Sequence, residues 1–273
     1  MERISRIKHV ALDMDGTIYK GGTLFPFTQS FLSGLREMGI GYSFLTNNPS
    51  KSTISYLEHL DRMGLHATRE ELYTSAHATI NYIKQNLPDA KKLFILGTPS
   101  MISEFENEGF TSTGDDAADV PDAVVVGFDM TLTYARLCRA AWWIHLNRPY
   151  VATNPDWVCP TDQPTVLVDC GSICAMLEKS TNRKPDAVLG KPMPEMLDGI
   201  LSANNLKAEE VAMVGDRVYT DMRMAHNAGA FGVLVLSGEA TLDDAKNADP
   251  LPDVTLNSIA ELGELIKEAK NTQ

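Results

Sequence analysis

Four short polar clusters in this 273-residue chain each follow an apolar run. Asp13-Met14-Asp15-Gly16-Thr17 follows Val10-Ala11-Leu12, and Thr46-Asn47-Asn48 follows Tyr42-Ser43-Phe44-Leu45. Gly190-Lys191-Pro192 follows Val188-Leu189, and Gly215-Asp216-Arg217, with Asp221 just beyond, follows Val211-Ala212-Met213-Val214. Apolar runs of that length read as buried strands, and the polar residues that end strands of an open parallel sheet lie along the edge where ligands bind. Right-handed crossovers bring such ends to one edge however far apart they lie in sequence. Gathered there, Asp13, Asp15 and Asp216 repel one another: two bare carboxylates ~4 Å apart cost about 4 kcal/mol at an effective dielectric of 20. The cluster therefore calls for a cation. Oxygen ligands without a nearby histidine suit Mg²⁺, which takes one or two carboxylates and fills its remaining positions with water or substrate phosphate. Lys191 brings a second positive charge, and Thr46 and Asn47 bring neutral donors, so the edge would seat a dianionic phosphate.

The elements that must position these clusters alternate along the chain. A helical pattern at residues 27–38 links the first two apolar runs into a βαβ unit, whose strands lie parallel. Val188-Leu189, residues 211–214 and residues 232–236 read as a resumption of that architecture near the C-terminus. Between them lies a second strand and helix rhythm, with strands at 92–96, 123–127 and 150–152 and helices at 101–108, 134–146 and 172–179. The acidic stretch 114–119 reads as a solvated loop. The expectation is an α/β protein with a doubly wound parallel sheet: a catalytic core of residues 1–76 and 183–273, with residues 77–182 inserted as a second α/β domain. Two crossings, near Ser75 and near Asn182, would suit a lid.

The order DxDGT, strand-end Thr, strand-end Lys, then GDxxxxD resembles the haloacid dehalogenase superfamily of aspartate-nucleophile phosphatases. Further stretches resemble its NagD-like, p-nitrophenyl phosphatase-like subgroup: Leu45-Thr46-Asn47-Asn48-Pro49-Ser50, Tyr73-Thr74-Ser75-Ala76, Ala152-Thr153-Asn154-Pro155-Asp156 and Gly190-Lys191-Pro192. The resemblance covers nearly the whole chain and implies a Rossmann-like core with a large α/β cap between the second and third motifs. It implies that Asp13 is the nucleophile attacking phosphorus, and that Asp15 is the general acid and later the base that activates water. Mg²⁺ would be held by the Asp13 carboxylate, the Asp15 main-chain carbonyl and Asp216. Thr46, Asn47, Asn48 and Lys191 would bind the phosphoryl group, with Asp221 orienting Lys191 or a metal-bound water. Two carboxylates in different roles, one held ionised and one free to trade a proton, suit the same chemistry on physical grounds alone. The substrate would be a small phosphorylated metabolite such as a nucleotide or sugar phosphate, chosen by the cap loop 153–163. That loop carries Trp157, Val158 and Cys159 and lacks the His that some relatives place there, which counts against pyridoxal phosphate. A non-catalytic phospholigand sensor on the same scaffold is the alternative, against which the joint presence of Asp13, Asp15, Lys191 and Asp216 counts.

Composition narrows the remaining classes. With 24 Lys and Arg against 36 Asp and Glu, the formal net charge is -12, which disfavours a nucleic-acid backbone or an anionic membrane as partner. No apolar stretch approaches the ~20 residues that span a bilayer, and the charged N-terminus does not read as a signal peptide. A cytoplasmic enzyme is the expectation, and a homodimer is left open. Cys138, Cys159, Cys170 and Cys174 have no metal-site spacing and read as buried thiols. The six His form no ligand pair, and Trp142-Trp143 reads as cap core.

Overall fold

The computed structural model describes residues 2–159, 161 and 163–271. The chain divides into two compact units. One comprises the residues up to Thr46, Leu57–Tyr73 and the residues from Lys191 onward; the other comprises Asn47–Tyr56 and Thr74–Gly190.

In the first unit Val254–Leu256, Phe231–Val235, Val211–Gly215, His9–Asp13 and Gly41–Thr46 are successive parallel neighbours, and Leu72–Thr74 completes the six-stranded sheet beside Gly41–Thr46. His9 to Leu12 and all of Val211–Gly215 are buried, as strands covered by helices on both faces must be. Thr28–Glu37 turns Phe31, Leu32 and Leu35 inward, and Ile259–Asn271 buries Ile259, Leu262, Ile266 and Ala269 at helical spacing. From His9–Asp13 the chain first builds outward through Gly41–Thr46, then later returns to build on the opposite side. That reversal of strand order makes the carboxyl end of His9–Asp13 a topological switch point.

The second unit has its own five-stranded parallel sheet, ordered Ala187–Val188, Tyr150–Ala152, Ala123–Val126, Lys92–Leu96, Thr111–Ser112. Strand alternation sorts its residues onto two faces. Phe94, Leu96, Val124 and Val126 pack with Trp143, Ile144, Ile173 and Leu177 of two helices, whereas Leu93, Ile95, Ala123 and Val125 pack with Ile80, Ile83, Met101 and Phe105 of two others. Val158–Cys159 and Leu167–Val168 form a small antiparallel ribbon, and Pro160 and Asp162 of the expected selectivity loop lie outside the described residues.

Several expectations need correction. Val188-Leu189 does not rejoin the first sheet: Ala187–Val188 pairs with Tyr150–Ala152, so the chain remains in the second unit through Gly190 rather than leaving it near 182. An apolar dipeptide reads the same whichever sheet accepts it. Residues 47–56 likewise group with the second unit, although they follow a strand of the first. Only Cys170 and Cys174 are buried, since Cys138 lies on the outer side of the helix Tyr134–His145, and Cys159 is half-buried on the ribbon. Trp143 is core, but its neighbour Trp142 is 47% exposed, one residue being enough to rotate a helical side chain out of the packed face. The acidic stretch 114–119 is indeed a loop, exposed at all but one position. Among the described residues no helix is long and apolar enough to cross a membrane.

Candidate active site

Strand register places the chemistry of the first unit. Leu12 stands opposite Val214, and Asp13 opposite Leu45, so Asp13, Asp216 and Thr46 all fall at or just past the carboxyl ends of three adjacent strands. After Asp13 the chain turns sharply, with Gly16 N–H donating to Tyr19 O at 2.8 Å and Ile18 N–H to Met14 O at 2.9 Å. Gly16 sits at φ +86°, and a Cβ there would come within 2.2 Å of Asp216 Oδ2, so both backbone and space demand glycine. Asp15 is exposed on this turn, its Oδ1 accepting from Gly21 N–H at 3.2 Å.

Four charged side chains meet at the switch point. Lys191, only 4% exposed, is ion-paired with Asp13 and, at 2.7 Å, with Asp221. Carboxylate oxygens of Asp13, Asp216 and Asp221 lie within 4.8 Å of one another. Asp221 is fully buried, and its second oxygen accepts from Arg217 N–H at 3.1 Å. Asp216 accepts from Glu239 N–H at 2.7 Å through Oδ2, while its buried Oδ1 has no hydrogen-bond partner among the described residues. Burial, then the charges of Asp13 and Asp221, push the Asp216 carboxyl up to about 7. Burial also raises Asp221, to about 6, although Lys191 pulls against it. Burial would lower the pKa of Lys191, but Asp13 and Asp221 outweigh it and hold the ammonium above its ordinary value. One lysine thus stands among three carboxylates, which is the charge deficit a divalent cation fills, and the all-oxygen donor set with an orphaned Asp216 Oδ1 fits such an ion.

The structure brings together Asp13, Lys191, Asp216 and Asp221, and sets Asp15 and Thr46 at neighbouring strand ends. Asn47 and Asn48, the two residues after Thr46, belong to the second unit. Asn47 is buried, and its amide Nδ2 donates to both oxygens of Asp156, at 3.1 and 3.3 Å. Asn48 Oδ1 accepts from Ser50 N–H at 2.9 Å. Sequence reasoning missed the loop after Phe231–Val235. There Ser237 Oγ donates to Gly16 O at 2.7 Å, and Glu239 both holds Asp216 through its N–H and accepts from Arg217 Nε at 2.8 Å and Tyr219 OH at 3.0 Å. Its only signal was the position of Ser237-Gly238-Glu239 just past a strand adjoining Val211–Gly215.

Known proteins resemble this chain along nearly its whole length. A family described as haloacid dehalogenase-like hydrolase matches residues 10–111, and one described as HAD-hydrolase-like matches residues 188–262. Ribonucleotide monophosphatase NagD of Escherichia coli is 32% identical over 257 residues, covering 94% of this chain and 98% of that protein. The crystal structure of 4-nitrophenylphosphatase from Thermotoga maritima matches with a TM-score of 0.91 at 37% identity, covering 97% of this chain and 99% of that one. Glycerol phosphate phosphatase from Mycobacterium tuberculosis, solved in complex with magnesium, matches with a TM-score of 0.87 at 30% identity over 96% of this chain and 78% of that one. With its switch-point carboxylates, its buried lysine and these relatives along nearly its full length, the chain belongs to the haloacid dehalogenase-like hydrolases and is a phosphoric monoester hydrolase.

Proposed function

We propose that the chain is a Mg²⁺-dependent phosphatase of small phosphorylated metabolites that carries the phosphoryl group transiently on Asp13. The observation that carries this reading is the buried Lys191 paired to both Asp13 and Asp221 beside the orphaned oxygen of Asp216. Asp13, ion-paired with Lys191, attacks phosphorus through its carboxylate, forming an O–P bond as the ester oxygen leaves. Asp15, exposed on its turn, can give that oxygen a proton and then take one from the water that attacks the aspartyl phosphate, releasing inorganic phosphate and restoring Asp13. Lys191 and Thr46 face the growing negative charge on the phosphoryl oxygens, and Asn47 and Asn48 complete their binding. Asp221 holds Lys191 in place, with both its oxygens committed to Lys191 and the Arg217 N–H.

Mg²⁺ bound by Asp13, Asp216 and the Asp15 carbonyl would offset the carboxylate charge and polarise the phosphoryl oxygens. The relatives' names, a ribonucleotide monophosphatase, a 4-nitrophenylphosphatase and a glycerol phosphate phosphatase, support a small phosphomonoester as substrate without singling one out. Phosphate release from a broad panel of phosphomonoesters, with Mg²⁺ and then with excess chelator, tests the reading. Turnover that chelator abolishes and Mg²⁺ restores is expected; full activity in chelator would overturn the metal assignment. A non-catalytic sensor would release no phosphate from any ester under either condition.

A further inference from the structure

Asn47 and Gly190 have a common feature. Each belongs to the second unit, yet each is covalently next to a residue of the first that the proposed mechanism uses: Asn47 follows Thr46, and Gly190 precedes Lys191. Inside the second unit these two residues converge. A Cβ on Gly190, which sits at φ +78°, would come within 2.9 Å of both Asn47 Oδ1 and Thr153 O and within 3.1 Å of Asn154 Cβ. The Asn47 carbonyl accepts from Ser75 Oγ at 2.6 Å and from Asn154 Nδ2 at 2.7 Å, and its side chain donates to Asp156. Ser75 itself lies beside the junction of Tyr73 and Thr74, another place where the chain passes between units. The loop that presents Asp156 is in turn fixed from below: Gly171 N–H donates to Asp156 O at 2.8 Å, and Ser172 Oγ donates to Trp157 O at 2.6 Å.

Resting on the phosphatase reading, we propose that Asp156 is a positioning residue that acts through Asn47. The carboxylate orients the Asn47 amide and so fixes the phosphate-binding segment that begins at Thr46. The stretch 154–157 then has two separable jobs. Asp156, half-buried and turned to Asn47, sets phosphate binding for every ester, whereas Trp157, 64% exposed, is left to discriminate among leaving groups. The Asn47 amide lies within hydrogen-bond distance of both Asp156 oxygens, so loss of that acceptor is felt at the segment it orients.

The test uses the full-length protein with Mg²⁺. Asp156→Ala should raise KM for p-nitrophenyl phosphate, KM for every other ester hydrolysed, and the inhibition constant of inorganic phosphate by one common factor of ~10, equivalent to about 1.4 kcal/mol, with kcat changed less. Asp156→Asn keeps an acceptor for the Asn47 amide and should recover to within ~3-fold of the parent, which a requirement for the negative charge would not allow. Combining Asp156→Ala with Asn47→Ala should be no worse than Asn47→Ala alone, because the first residue works through the second. Should Asp156→Ala fail to fold, Asp156→Ser, too short to reach Asn47, carries the same expectation. Ester-selective changes with an unaltered phosphate inhibition constant would make Asp156 an ordinary leaving-group contact, and multiplicative effects in the double variant would break the link to Asn47. A parent protein that turns over no ester and binds no phosphate overturns the phosphatase mechanism and this role with it. An active parent that Asp156→Ala leaves unchanged overturns the positioning role alone.

Discussion

The two units share an architecture, parallel strands with apolar side chains on both faces, and differ in what stands at the ends of those strands. In the first, three acids and one lysine converge, and Asp216 keeps an oxygen that no described residue satisfies. In the second, each buried acid has at least one oxygen held by protein donors, and Asp129 Oδ2, which has no hydrogen-bond partner among the described residues, lies 3.6 Å from Arg136 Nη1. Glu104 accepts from Thr53 N–H at 3.0 Å and Thr53 Oγ1 at 2.6 Å and meets His77 Nε2 at 3.1 Å; Asp129 Oδ1 accepts from Thr131 N–H and Oγ1; Asp169 accepts from Cys170 N–H. Thr74 N–H donates to His77 Nδ1, and the other ring nitrogen, Nε2, faces Glu104. A sheet of this kind therefore supplies a place for chemistry but no chemistry. What separates the units is clustering: among the described residues, Asp13, Asp216 and Asp221 of the first bring three acids close enough to share one cation.

The sharpest way to break this contrast is Asp13→Asn, which is nearly isosteric. Turnover should vanish while the variant remains folded, since an amide cannot attack phosphorus; phosphate trapped covalently on the variant would refute the nucleophile assignment. Asp15→Asn should lower kcat by at least the ~10²-fold typical of losing a general acid or base. With a good leaving group it should still accumulate a phosphoenzyme in single-turnover experiments. Lys191→Met should injure both activity and stability, because removing one partner of a buried ion pair typically costs ~3–5 kcal/mol. Denaturant titration would measure the stability loss, and an unchanged midpoint would mean the carboxylates find other compensation.

A change in the second unit should instead injure stability first. Glu104→Gln should cost about 1–3 kcal/mol by disturbing a satisfied buried network. Burial works to raise the Glu104 carboxyl, but hydrogen bonds from His77 and Thr53 outweigh it and bring it down to about 2. A depressed carboxylate stabilises the fold above its unfolded value of 4.5, and that contribution is lost as pH falls toward about 2. The gap in Tm between parent and variant should therefore be widest at neutral pH and shrink below 4.5; a gap independent of pH would remove ionised Glu104 as its source. The smallest effect is expected of Trp157→Ala and Val158→Ala, made without touching Asp156. These should shift relative kcat/KM among esters by ~10-fold while leaving p-nitrophenyl phosphate nearly unchanged.

Much of this molecule is determined by sequence acting locally. The strand from His9 to Asp13 and the helix from Thr28 to Glu37 follow from apolar spacing alone, and the order of Asp13, Thr46, Lys191 and Asp216 along the chain carries enough information to recognise the chemistry before any coordinates. Apolar pattern cannot choose between two sheets that are equally apolar. Whether Val188 pairs beside Tyr150 or beside a strand of the first unit depends on which partner edge remains open once both sheets have formed. The same holds for Asn47, which reads as a phosphate ligand by its neighbours in sequence but whose amide is oriented by Asp156, more than a hundred residues away. Side-chain hydrogen bonds between distant loops leave no periodicity behind, so tertiary structure alone decided that the Asn47 amide meets Asp156 while Asp216 Oδ1 keeps no hydrogen-bond partner among the described residues.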